Sequence, residues 1–496
     1  MKISEHVKKI YEKLDDGDTL GALKLVKNIE EGEYDILEKE YYLSNVYIDI
    51  GSILNKEDLI KKGIDCIEKN FDQLTKNTNT NQIVYYNLGN GYSSLYSLRV
   101  KLNIYYGFMN PKTENHKAIE CYKKAIKCPN ISNELQVRIF VNMANSLDLL
   151  GRNMEAIEYY DKALFINPKH GMAIANKGIA IKYYAKLTRH KSKKYYKIAY
   201  ELIKQGVKNG VHKEAESIFL DNMNEIENIL EDFLYIGEEP DKNISLNLKN
   251  DFEKKSTDFY YKNKLYLNLC NHCQNCNSSL EDNISINEKI IDFSNGIDKE
   301  RFLELSQFLR EIKQNYITSR LLLAQGVIKD KSINFVDNEI SSIDTEENII
   351  NNTYIQLIKF AFKNMFDILD KISIFINRYM NLGKNEKYID FKKIWYKGSF
   401  KEGNIDENIS SSKNFNMNAL FNIYLELSNG EYRELNNIRN ALTHRFLNIY
   451  TDGNNSIDYM SEEYLIEKSI EITKLVRNSI IYLLSFVESE ESHKIL

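Results

Sequence analysis

The stretch Phe140-Val-Asn-Met-Ala-Asn-Ser-Leu-Asp-Leu-Leu-Gly-Arg-Asn-Met-Glu-Ala-Ile-Glu-Tyr-Tyr-Asp-Lys-Ala-Leu-Phe-Ile-Asn-Pro168 decides the fold of the N-terminal half. Within it, Phe140, Met143, Ala144, Leu147, Gly151, Ala156, Tyr160, Ala163 and Pro168 recur as large, large, small, large, turn, small, large, small, Pro. At 3.6 residues per turn these positions lie on the facing sides of two helices parted by a glycine turn. Small residues let antiparallel helices approach closely, the Tyr160 ring fills the remaining gap, and Pro168 ends the second helix.

This is the spacing of a tetratricopeptide repeat (TPR), and it recurs along the chain. A neighbouring unit reads Tyr85, Leu88, Gly89 and Tyr92, then after an insertion Ala118, Tyr122, Ala125 and Pro129. Gly178 follows Ala144 by one TPR period of about 34 residues. Its unit continues through Ile181 to Tyr196 and Tyr200. Earlier helix pairs fit around Val7–Ile29 and Tyr41–Leu74. Residues 1–230 are therefore expected to form four to five TPR-like hairpins, whose concave face takes a protein or peptide ligand.

With 496 residues the chain exceeds what one hydrophobic core supports, so two or three domains are expected. Hydrophobic residues at 43% exclude a disordered chain, and 4 Pro with 21 Gly exclude a fibrous one. No apolar run approaches ~20 residues, and Lys2, Glu5, His6 and Lys8 break any secretory leader, so no membrane partner is expected and the cytosol is. Six Cys fit a reducing compartment. The net charge of −5 excludes a uniformly basic coat. Basic residues nevertheless prevail over residues 1–230 and acidic residues beyond.

The basic excess peaks around Arg189, Lys191, Lys193 and Lys194, interleaved with Tyr183, Tyr184, Tyr195 and Tyr196. Clustered cations beside rings suit RNA phosphates and bases, and equally the solvated face of an inserted helix. Between residues 231 and 296 periodicity fades, which marks a connecting segment. There Cys270, Cys273 and Cys276, with His272 among them, offer three zinc ligands without a fourth, so packing thiols are the preferred reading and no metal or cofactor is expected.

Residues 297–496 return to a helical period, with helices expected near 298–328, 347–382, 414–429, 431–451 and 461–489. The fold class is thus all-α, a helical solenoid followed by a helical bundle. In the fourth helix Leu435, Ile438, Leu442, Phe446 and Ile449 trace one apolar line, the expected core face. Asn440 and His444, four residues apart, lie opposite it, with Arg433 and Asn437 extending a polar column and Arg439 on the flank.

These residues can cleave RNA without a metal. An imidazole, with a pKa near ~6.5, serves as base toward a 2′-hydroxyl or acid toward a leaving 5′-oxygen, worth about 10²–10⁴ in rate. A guanidinium pairs with the growing negative charge on phosphorus-bound oxygens. In-line transfer moves two protons, and one helix supplies one histidine. A twofold homodimer that faces two such helices provides the second. An ATP-dependent reaction is disfavoured, since no Gly-x4-Gly-Lys-Ser/Thr loop occurs.

Arg439-Asn440-Ala-Leu-Thr443-His444 resembles the signature of HEPN domains (higher eukaryotes and prokaryotes nucleotide-binding). Phe366-Asp367-Ile-Leu-Asp370-Lys371-Ile, Phe375-Ile-Asn377, Leu382-Gly383, the stretch Phe391 to Trp395 and that from Glu311 to Arg320 are similar to the bacterial HEPN subfamily found behind TPR arms. The resemblance covers about residues 265–490. Active members are metal-independent RNases with the site at a dimer interface, often toxins or antiphage effectors whose second domain senses a trigger. It implies Arg439 and His444 as the catalytic pair, supported by Asn440 and Thr443. Asp370 is either an orienter of that pair or the partner of a salt bridge with Lys371 or another neighbour. The competing expectation is a non-catalytic TPR scaffold or sensor whose HEPN domain binds nucleotide or only dimerises.

Overall fold

A computed structural model describes residues 2–76, 81–185, 192–232, 250–269, 282, 284–286, 299–339, 348–398 and 404–495. Two compact units emerge, residues 1–180 with 198–227, and residues 181–197 with 228–496. Both are helical, and the described strands are the two-residue pair β1 (Ile449–Tyr450) and β2 (Met460–Ser461), parallel to each other.

The first unit is built from consecutive hairpins. Helices α1 (Ile3–Asp15) and α2 (Thr19–Glu30) pair, as do α3 (Ile36–Leu54) and α4 (Glu57–Lys69). After the single turn α5 (Phe71–Leu74) come α6 (Asn81–Leu102) with α7 (Glu114–Ile126), α8 (Asn133–Leu149) with α9 (Asn153–Ile166), and α10 (Gly171–Ala185) with α11 (Ser192–Asn209). Helix α12 (Lys213–Asp232) follows. The expected small residues stand where helices touch: a Cβ on Gly89 would come 2.7 Å from the Tyr122 ring, so glycine there is what admits the ring. Gly151 makes the α8–α9 turn at φ +81°, a left-handed conformation that other residues resist. Ala144, Ala156, Tyr160 and Ala163 are buried between these two helices, as the repeat requires.

The second unit adds α13 (Asp251–Lys262), α14 (Lys299–Ile328), α15 (Thr353–Tyr379), the single turn α16 (Glu407–Ser410), α17 (Phe415–Ser428), α18 (Arg433–His444) and α19 (Glu462–Ile495). Helices α14, α15, α17 and α19 form the bundle, and α18 packs against α15 and α17. Ser461 opens α19 by accepting the Tyr464 amide at 3.1 Å, as its sequence position suggests. Gly383 lies past the end of α15 at φ +67°. Trp395 is fully buried on Phe391, Phe421 and Tyr424, which ties the α15–α17 connection to the core.

Part of the segment whose periodicity fades is buried in this unit. Leu265, Tyr266 and Asn268 carry backbone carbonyls outside any helix or sheet ladder, and two interior guanidinium groups bond them. Arg320 donates to the Leu265 oxygen at 3.0 Å and to both Asp282 carboxylate oxygens, while Arg477 donates to the Tyr266 and Asn268 oxygens at 2.8 and 2.9 Å. Buried cations are costly unless paired or bonded, and here Arg320 has the Asp282 carboxylate and Arg477 the backbone carbonyls. Cys270, Cys273, Cys276 and His272 lie outside the described residues. Among the described residues no helix is long and apolar enough to cross a membrane.

Candidate active site

Helix α18 places the candidate residues. Leu435, Ile438 and Ala441 bury one face against the bundle, and Asn440, Thr443 and His444 stand exposed on the other. The polar column therefore points outward, as its spacing implies. The apolar line does not run on as expected: Leu442 is only half-buried, and Phe446, expected in the core, is fully exposed at 101%. The helix stops at His444 instead of continuing to residue 451.

Tertiary bonds stop it there. Arg445 takes an extended conformation (φ −136°, ψ 168°). Beyond it, the Leu447 carbonyl accepts from Lys359 Nζ at 2.6 Å, the Ile449 carbonyl accepts from the Ile350 amide at 2.7 Å, and the Thr451 amide donates to the Asn348 carbonyl at 2.9 Å. Ile449 is buried in the strand pair β1–β2 rather than in a helix. His444 thus sits at a helix end whose outgoing chain is pinned to α15 and the residues before it.

Arg439 is half-buried on the flank, its guanidinium carbon 5.8 Å from the centre of the Phe366 ring of α15. Asp370, one turn further along α15, feels its charge. Burial pushes the Asp370 carboxyl up to about 6, opposed by the hydrogen bond it accepts from the Phe391 amide at 2.9 Å and by Arg439. Lys371 binds Glu311 rather than Asp370, so the expected Lys371 salt bridge is not formed. Among the described residues no bond joins Arg439 to His444 directly. Thr443 is linked to Arg439, its hydroxyl donating to the Arg439 carbonyl at 2.8 Å.

Two neighbours of the candidate residues were given no role by the sequence reading. Phe366 shares a face with Asp370 through its i, i+4 spacing, but nothing in the sequence places that face beside Arg439. Lys359 gives no local signal at all. Burial holds its ammonium below the usual lysine range, and its bond to Leu447 anchors the chain that leaves His444.

In the basic stretch, Lys193 and Lys194 are half-buried on α11, while Arg189 and Lys191 lie outside the described residues. Tyr184, Tyr195 and Tyr196 are buried, Tyr184 and Tyr195 edge to face at 5.2 Å, whereas Tyr183 is 49% exposed. Three of the four rings are thus packing groups, and of the four only Tyr183 is exposed.

Residues 298–490 match the family described as LA2681-like HEPN, so this part of the chain is a HEPN domain. Among solved structures the chain is similar to "Crystal structure of MamA", at 24% identity over 42% of this chain and 98% of that chain, with a TM-score of 0.27. A second, "Crystal structure of MamA protein", is similar at 22% identity over 42% of this chain and 96% of that one, with a TM-score of 0.26. No curated protein matches the sequence.

Proposed function

We propose that the LA2681-like HEPN domain is a metal-independent endoribonuclease whose site is completed by a second copy of the chain. The observation that carries the reading is an exposed imidazole at the end of α18, with a guanidinium one turn earlier that no described carboxylate neutralises in an ion pair. His444 of one copy takes the 2′-hydroxyl proton as that oxygen attacks phosphorus. Arg439 donates N–H groups to the non-bridging oxygens as they gain charge. The second copy's His444 gives a proton to the departing 5′-oxygen. The products are a 2′,3′-cyclic phosphate and a 5′-hydroxyl, so bonds and protons balance.

Asn440 and Thr443, exposed beside the pair, hold the scissile backbone, and Asp370 orients Arg439. Arg189, Lys191, Lys193 and Lys194 add phosphate contacts. The TPR arm is a sensor whose protein ligand governs cleavage, the arrangement of a toxin or antiphage effector in the cytoplasm. Incubating the protein with total RNA in EDTA and mapping the new ends tests the reading. Cyclic phosphate ends that survive chelation support it, and intact RNA, or ends that vanish on chelation, reject it.

A further inference from the structure

The N-terminal unit contains a cavity of about 500 Å³ between α1, α3, α6 and the start of α8. That volume falls in the range of roughly 300–1,000 Å³ usual for ligand sites. Tyr11, Asp49, Tyr86, Asn87, Asn90 and Arg138 are among the residues lining it. Asp49 is half-buried, and its Oδ2 accepts a hydrogen bond from the Tyr11 hydroxyl at 2.7 Å. Among the described residues no cation forms an ion pair with it. Arg138, which lines the same cavity, is engaged one turn away with Glu134. Arg138 acts on Tyr86 but no described cation acts on Asp49, so the Asp49 end of the space is the negative one. Burial holds its carboxyl above the usual range, the mark of an acid that lacks a counter-charge.

A second observation points to what enters. Asn90 Oδ1 accepts from the Tyr122 hydroxyl at 2.9 Å and from Asn142 Nδ2 at 2.9 Å. One hairpin further on, Asn145 Oδ1 accepts from the Tyr160 hydroxyl at 2.7 Å and from Asn176 Nδ2 at 2.9 Å. The same three-way link thus recurs between successive hairpins and begins in the cavity, at Asn90. Asn87 Nδ2, beside the Tyr41 hydroxyl, is buried there with no acceptor in bonding geometry. A row of carboxamides held rigid, one hairpin after another, matches the repeating amides of an extended chain. A free small amine would use only the cavity.

We propose that this cavity receives an arginine or lysine side chain of an extended protein segment, with the charged end on Asp49 beside Tyr11 and Tyr86 and the segment's backbone along the asparagine row. A cation there restores charge balance to Asp49 and gains ring contact as well. The proposal rests on the reading of the arm as a protein sensor and names the chemistry of its ligand.

The test uses the full chain and a positional-scanning peptide library, read against the parent and Asp49→Asn, which retains an acceptor for Tyr11. Arginine or lysine should be enriched about tenfold at one position with the parent, and that preference should disappear with Asp49→Asn. In the best arginine peptide, replacement of the arginine by citrulline, of like shape and no charge, should weaken binding to the parent at least tenfold, a measurement independent of any variant. Peptides selected without cation preference, or unaffected by citrulline, would overturn the proposal while leaving the arm a protein sensor. No selected peptide at all would reject both. Agmatine binding as tightly as the best peptide would assign the cavity to a free amine and overturn the peptide assignment.

Discussion

The Arg439 guanidinium stands 5.8 Å from the centre of the Phe366 ring, one helical turn before Asp370. A cation over an aromatic face gains about 0.5–2 kcal/mol, and it loses rotational freedom that it would otherwise give up on meeting substrate. Phe366→Leu fills most of the same buried space at a cost below about 1.5 kcal/mol. It should lower the RNA cleavage rate about three- to thirtyfold while the melting temperature falls by only a few degrees. A parent-like rate in a folded variant would show that the ring does not position Arg439.

Asp370 supplies a pH signature. Its carboxyl is held up to about 6 in the folded protein, against roughly 3.9 in an unfolded chain. Between those values the folded state keeps a proton that the unfolded state has lost, so this group's contribution to stability falls as pH rises through the window and levels off above it. The loss amounts to roughly 2–3 kcal/mol. Asp370→Asn keeps an acceptor for the Phe391 amide and removes the titration. Urea unfolding should therefore show the difference between variant and parent moving toward the variant by about that amount from about pH 4 to about pH 7. A pH-independent difference would contradict the assignment.

Lys359 holds the chain that leaves α18. Lys359→Met keeps the buried stem but leaves the Leu447 carbonyl without its donor, at a cost of about 1–3 kcal/mol. Cleavage should drop about tenfold with RNA affinity nearly unchanged, since the side chain reaches the backbone rather than solvent. Equal cleavage by variant and parent would mean that the strand pair alone fixes this segment.

The two ends of the supposed apolar line should behave oppositely. Ile438 is fully buried and Phe446 fully exposed. Ile438→Asp buries an unpaired charge and should destabilise by several kcal/mol, whereas Phe446→Ser should stay within about 0.5 kcal/mol of the parent. Thermal unfolding of both variants separates the observed helix end from a helix continued to residue 451.

The hairpins were readable because their signal is local: Ala144, Gly151, Ala156 and Tyr160 each report a contact made within one repeat. The outward polar column of α18 was readable for the same reason, since helical spacing alone sets Asn440 and His444 opposite Leu435 and Ile438. The stop at His444 was not. Leu442, Phe446 and Ile449 keep the helical period through a stretch that Lys359, Asn348 and Ile350 draw out into extended chain, and those bonds are long-range. The company of Arg439 was hidden likewise, because Phe366 and Asp370 meet it only once α15 and α18 pack. Residues 265–268 lack periodicity because they are buried without forming a helix or strand, the Leu265, Tyr266 and Asn268 carbonyls bonded by Arg320 and Arg477 from two other helices.

The most direct measurement compares His444→Ala with the parent on RNA in EDTA, with the oligomeric state of both followed by sedimentation. His444 is exposed, so the variant should keep its melting temperature and its dimer while its cleavage rate falls at least 10²-fold, the scale of losing a proton-transfer group. Cleavage at the parental rate by the folded, dimeric variant would contradict the assignment of His444 to catalysis.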